Sequence, residues 1–155
     1  DDDVGIAAEE EPANLSADES ATARVFGSVI ALPNGGPNCA ADTSGNPPLA
    51  AESSGYNFSD DASCGLVDAT DRQDAGDPGL GALADNGGPT LTHLPGAGSP
   101  LIDAIPVAAC GDGDVFVQQA VTDDQRGVVR PQGGGCDTGS VEVVFEAVIQ
   151  PTFTG

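Results

Sequence analysis

Apolar residues in this chain come in short runs without a helical period, separated by dense clusters of turn formers. Residues 4–8 are apolar enough for one strand. Residues 21–31 (ATARVFGSVIA) read as a better one, with Val25, Gly27 and Val29 on one parity and Phe26, Ser28 and Ile30 on the other. Thr90 to Leu94 is a further β-prone piece, and Leu101 and Ile102 form an apolar pair. The run Val141–Ile149 (VEVVFEAVI) is the most strand-like, interrupted by Glu142 and Glu146, and is expected to add to a sheet or cap it. Between these pieces lie Asn34 to Pro37, Asn46 to Pro48, Asn86 to Pro89 and the stretch 95–100. Gly and Asn accept positive φ and Pro presets its own φ, so each cluster turns the chain. The string Asn-Gly-Gly-Pro occurs twice, at Asn34 and Asn86, and is too short to define a period. Strands this brief do not make stable hairpins alone, yet they suit a solenoid, in which each coil stacks on its neighbour.

Composition narrows the architecture. The 155 residues suit one domain with a real core. With 22 Gly and 12 Pro, long helices are disfavoured. The four basic residues, Arg24, Arg72, Arg126 and Arg130, face 25 acidic ones, for a net charge of −21 and a pI near 4.1. Such a surface repels the phosphates of nucleic acids and anionic bilayers, which excludes them as partners. No apolar run approaches the roughly 20 residues a membrane helix needs, so no membrane insertion by this chain is expected. Asp1 does not begin a signal peptide, and the chain reads as a mature or trimmed fragment. Residues 1–20 hold 8 of the acidic residues and resemble a solvated tail, although the apolar piece at 4–8 makes the segment equally readable as the stump of earlier coils.

Candidate chemistry is sparse. Cys39, Cys64, Cys110 and Cys136 lack zinc spacing and are read as two disulfides, which implies an oxidising, extracytoplasmic compartment. Three pairings are possible; sequence-adjacent pairing closes two loops of similar length, each stabilising by about 3–4 kcal/mol. His93, the only histidine, has no cysteine or carboxylate at metal spacing and reads as structural or surface. Asp112 and Asp114 in Gly-Asp-Gly-Asp are weak calcium candidates, because a cage needs more oxygen ligands than two carboxylates, and an exposed turn is the preferred reading. No cofactor is expected. Asn14 and Asn57 satisfy the N-glycosylation pattern, which is short and occurs often by chance, and both are expected to be unmodified.

Three stretches carry a resemblance. LADNGGPT, a Thr-His pair and GSPLIDA follow one another within residues 80–106; Gly55 to Cys64 reads GYNFSDDASC; and Asp124 to Glu142 reads DQRGVVRPQGGGCDTGSVE. Together they resemble the C-terminal segment of bacterial surface proteins with right-handed parallel β-helix repeats and a choice-of-anchor Q domain. The resemblance runs from Gly27 to Glu142. Ser140 stands where that family usually has Ala, and Ile105 where Gly often follows the Asp-Ala. It implies an all-β, right-handed parallel β-helix with long loops over residues 21–149, following the acidic segment 1–20 and ending in a tail, 150–155. It also favours the pairings Cys39 with Cys64 and Cys110 with Cys136. It assigns Asp103 to a coil corner, where it accepts backbone N–H bonds or pairs with an arginine. In so acidic a chain Arg126 and Arg130 are expected to be held by carboxylates, with Asp103, Asp124 and Asp137 as candidates. Arg126 in particular is expected to be mostly buried and bonded near the Ile102–Asp103 corner.

These motifs consist of turn formers, disulfides and ion pairs, which build coils and perform no chemistry. The expectation is therefore a non-enzymatic extracellular or cell-surface structural or adhesive protein. Its partner would be another protein chain at a solenoid edge, with a homo-oligomer or filament as one form of that assembly. The alternative is a polysaccharide-binding or polysaccharide-cleaving β-helix. A lyase of that kind wants a basic residue to take a proton, yet lysine is absent. A glycosidase wants two carboxylates facing each other across a groove.

Overall fold

The computed structural model describes residues 23–32, 35–39, 52–110 and 121–144. The acidic segment 1–20, Asn14, Asp112, Asp114 and the tail 150–155 lie outside the described residues. Among those described the chain is all-β: eight short strands and no helix. The strands are β1 (Arg24–Val25), β2 (Val29–Ile30), β3 (Glu52–Ser53), β4 (Phe58–Ser59), β5 (Leu80–Ala84), β6 (Thr92–Pro95), β7 (Ile105–Pro106) and β8 (Gly135–Cys136). The run expected as one strand over 21–31 is broken into β1 and β2 at Gly27, whose φ is +53°.

Successive passes of the N-terminal half lie parallel. β3 pairs with β1 in the register Arg24↔Glu52 and Val25↔Ser53, and β4 pairs with β2 in the register Val29↔Phe58 and Ile30↔Ser59. The offset is 28 residues in the first pair (52 − 24) and 29 in the second (58 − 29). The extra residue is absorbed in the corner between β3 and β4, where Gly55 and Tyr56 take φ of +101° and +57°. A third pass adds a parallel bridge from Phe58 to Arg72, with Arg72 N–H donating to Asn57 O at 2.8 Å and Ser59 N–H to Arg72 O at 2.7 Å. Parallel strands need a crossover between them, and here loops supply it in place of helices.

Side chains reinforce the stacking at the corners. Asn57, 1 % exposed, accepts the Ser28 N–H on Oδ1 at 3.0 Å. Its own N–H donates to Asp71 Oδ1 at 3.0 Å. One pass further on, Thr70 Oγ1 accepts the Tyr56 N–H at 2.9 Å. Corner amides that no strand partner reaches are thus satisfied by a side chain of the following pass.

Two clusters of the core are each built around a disulfide, while Phe58, Leu101 and Val141 are buried outside them. Ile30 and Leu66 pack with Cys39 and Cys64, and Val25 leans on that cluster. Ile105 packs with Cys110 and Cys136, joined by Phe26 and Tyr56, whose rings meet edge to face at 5.9 Å. Val25 and Phe26 are neighbours that serve opposite clusters, as strand alternation requires. Both disulfides, Cys39–Cys64 and Cys110–Cys136, are closed, and no free cysteine is present among the described residues.

The second half is antiparallel. β5 and β6 form a hairpin with an irregular register between Leu80 and Leu83, and β7 pairs with β8. The turn joining β5 to β6 contains Gly88 at φ +85°, where a Cβ would come within 2.8 Å of Arg126 Cα. Glycine is thus demanded twice there, by conformation and by the approach of the 121–144 segment.

Candidate functional site

The residues singled out in the closing motif gather into one buried polar assembly over 121–144. Asp124 sits 7 % exposed and collects donors from three directions. Its Oδ1 accepts the N–H groups of Arg126 at 2.7 Å and Val128 at 3.0 Å. Its Oδ2 accepts Arg126 Nε at 2.9 Å and the Glu142 N–H at 2.9 Å. Burial acts to raise the Asp124 pKa, but the amides of Glu142 and Val128, with Arg126, outweigh it and hold the carboxyl below its ordinary range. Arg126, its side chain 11 % exposed, also reaches the backbone oxygens of Asn86 at 3.3 Å and Glu142 at 2.5 Å.

Arg130 forms a second centre. Its guanidinium donates to the backbone oxygens of Asp137 and Gly139, each at 2.6 Å, and faces the Glu142 carboxylate at 3.3 Å. Glu142 is fully buried and accepts the N–H groups of Gln132 at 2.8 Å and Asp137 at 2.9 Å. Asp137 accepts those of Asp103 at 2.8 Å and Val143 at 2.7 Å.

Two expectations are corrected by this arrangement. Arg126 does not bond at the Ile102–Asp103 corner: its carboxylate partner is Asp124, two residues away. Asp103, at φ +54°, instead spends Oδ1 on the Gly135 N–H at 2.9 Å. The described part of the Val141–Ile149 run is not a strand, because the N–H groups of Glu142 and Val143 are taken by the carboxylates of Asp124 and Asp137. The remainder of that run lies outside the described residues. Glu142 itself was visible only as a polar interruption of a strand. Its signal was its place as the last residue of the closing motif.

Asn57 is likewise sealed. Its Nδ2 faces Ser53 Oγ at 2.8 Å, Asp71 Oδ1 at 2.9 Å and Val25 O at 3.2 Å, which leaves no room for a glycan in the folded chain. No group of three or more His, Cys, Asp or Glu among the described residues is arranged to hold a metal ion.

One open groove of about 760 Å³ lies between β2, the β5–β6 hairpin and residues 138–141. Leu32, Leu83 and Leu91 line it and are each 55 % exposed, with buried Val141 also in the lining. Ser28, Thr92, His93, Gln125, Thr138 and Ser140 supply its polar groups; His93 Nδ1 meets Gly81 O at 2.7 Å and, facing a carbonyl, is the donor there. Gln125 Nε2 donates to Thr90 Oγ1 at 2.5 Å and ties the hairpin turn to the closing segment. No aspartate, glutamate or arginine is among the lining residues described. The groove can therefore receive an apolar group, and it presents no pair of facing carboxylates. No helix among the described residues is long and apolar enough to cross a membrane. Comparison with family models, with curated proteins and with solved structures finds no match to this chain.

Proposed function

We propose that this chain is a non-enzymatic, extracellular or cell-surface structural protein of the choice-of-anchor type. In this reading it is the C-terminal part of a right-handed parallel β-helix and binds another protein chain. The observation that carries the reading is the parallel register of three successive passes, through Val29, Phe58 and Arg72. Coils of a solenoid stack in this way, and the corner bonds from Ser28 to Asn57 and from Asn57 to Asp71 hold them in step. The buried charges of the closing motif support it as well. Asp124, Asp137 and Glu142 direct their oxygens at backbone amides and arginines, which fixes loops and does not present a reactive group. The two disulfides suit an oxidising, extracytoplasmic setting.

The test is to incubate the purified, disulfide-intact chain with a panel of acidic and neutral polysaccharides while following its mass by light scattering across salt concentrations. The expected outcome is no cleavage and no saturable glycan binding, with association to protein chains only. A strict monomer that cleaves or tightly binds one glycan overturns the proposal.

A further inference from the structure

From the groove between β2 and the β5–β6 hairpin we infer the chemistry of the partner: an extended protein segment with an apolar anchor flanked by lysine or arginine. The inference rests on the protein-binding reading above and adds the site and the partner's character to it. The apolar half of the argument is the lining. Leu32 follows β2 whereas Leu83 and Leu91 belong to the β5–β6 hairpin, and each exposes more than half its surface around one concavity. Leucines in a recess lose the cost of their hydration when a matching side chain enters, and such anchors carry most of the binding energy of protein interfaces.

The charged half of the argument is the surround. No ionised side chain lines the groove among the described residues, yet carboxylates lie within one hydrogen bond or two residues of lining residues. Asp60 Oδ2 accepts the Leu32 N–H at 2.9 Å. Asp85 is exposed two residues beyond Leu83, and Asp123 is exposed two residues before Gln125. Exposed leucines among neutral polar groups, with carboxylates close by, suit a partner that brings an apolar anchor and positive charge. Arg126 and Arg130 are engaged inside the closing segment and do not neutralise these carboxylates. With a net charge of −21, a second copy of the chain is repelled at this face, whereas a cationic segment is drawn to it. The lining holds no Phe, Tyr or Trp, the larger rings on which sugars stack.

The probe is a short peptide alternating leucine and lysine, with two controls: the same peptide with glutamate in place of lysine, and one with serine in place of leucine. Titration calorimetry against the intact chain is expected to detect the leucine–lysine peptide, with affinity falling as salt rises, and neither control. Leu83→Asp is expected to weaken binding by at least about tenfold although it adds negative charge, because it puts a carboxylate in the apolar centre. Unspecific attraction by acidity predicts the opposite, equal or tighter binding, and that result overturns the inference. Should Leu83→Asp disturb folding, the exposed pair Asp85→Asn with Asp123→Asn is read instead, and is expected to weaken binding at low salt and flatten its salt dependence. No binding of the leucine–lysine peptide, equal binding of the glutamate peptide, or self-association lost on Leu83→Asp each overturns it. In those cases protein binding at another surface stands untouched, whereas a polysaccharide that displaces the peptide counts against both proposals.

Discussion

The carboxylate of Asp124 holds the backbone N–H of Glu142 at 2.9 Å across 18 residues of chain. The same carboxylate caps the turn that carries Arg126 and Val128, so a single side chain fixes both ends of the closing segment. Replacing Asp124 by Ala strands several buried donors at once, and is expected to cost about 3–5 kcal/mol. Urea denaturation of the oxidised protein is the measurement. A midpoint within error of the parent would show that the segment is held by something else.

Arg126→Leu is expected to destabilise by about 3 kcal/mol, since it leaves Asn86 O and Glu142 O without their donor and the buried Asp124 carboxylate without its cation. Arg24→Leu serves as the contrast. Its partner Glu52 lies 2.6 Å away, but the two side chains are 43 % and 55 % exposed, so the pair contributes less than about 1 kcal/mol. Paired thermal melts should separate the two arginines clearly.

Acid should unfold the protein through buried Asp124 and half-buried Asp61. For Asp61, as for Asp124, burial acts to raise the pKa; the Ser63 hydroxyl and the amides of Asn38 and Ser63 outweigh it and bring it below the ordinary value of 3.8. A carboxyl with a depressed folded pKa binds its proton less readily in the folded state. Its stabilisation is therefore complete above the ordinary value and is lost as pH falls through the folded one. Stability is expected to stay level in this respect from neutrality down to about pH 4 and then to drop. Denaturation midpoints collected between neutrality and strong acid check the shape, and Asp124→Asn should blunt the acid limb.

Asn57 should remain unmodified in the folded protein even when a glycosylating host is used, because a sugar on Nδ2 would displace Ser53, Asp71 and Val25 O. Mass mapping of the peptide containing Asn57 reads this directly. Asn57→Ala is expected to cost about 2–3 kcal/mol by leaving the Ser28 N–H and neighbouring groups without partners.

The legible part of this structure was its punctuation. Asn86 to Pro89 mark a turn that the chain does make, and the spacing of the cysteines left their pairing among three choices that the structure resolves into two local loops. Strand extents were harder to read. The alternation from Val25 to Ile30 suggested one strand, but the positive φ at Gly27 divides it, and a pattern of apolar parity carries no record of a corner. The closing segment misled for a different reason. Val141 to Val144 has β propensity, yet its amides belong to carboxylates 6 and 18 residues earlier, a tertiary arrangement that no local pattern encodes. The groove was illegible altogether, since Leu32, Leu83 and Leu91 meet only once the parallel passes and the hairpin are in place.

Because Asn57 reads the amide of Ser28 and is itself read by Asp71, the chain measures its alignment with side chains and not with the length of what it wraps between them. One interval is 29 residues long (57 − 28) and the next only 14 (71 − 57), yet both end in the same kind of bond. Excursions between these fixed points are therefore free to differ in length. Doubling such a loop adds only about 0.6 kcal/mol of closure entropy. The exposed tip around Val67, 87 % accessible, is accordingly a place where evolution or an engineer can splice in foreign sequence while the frame beneath keeps its count.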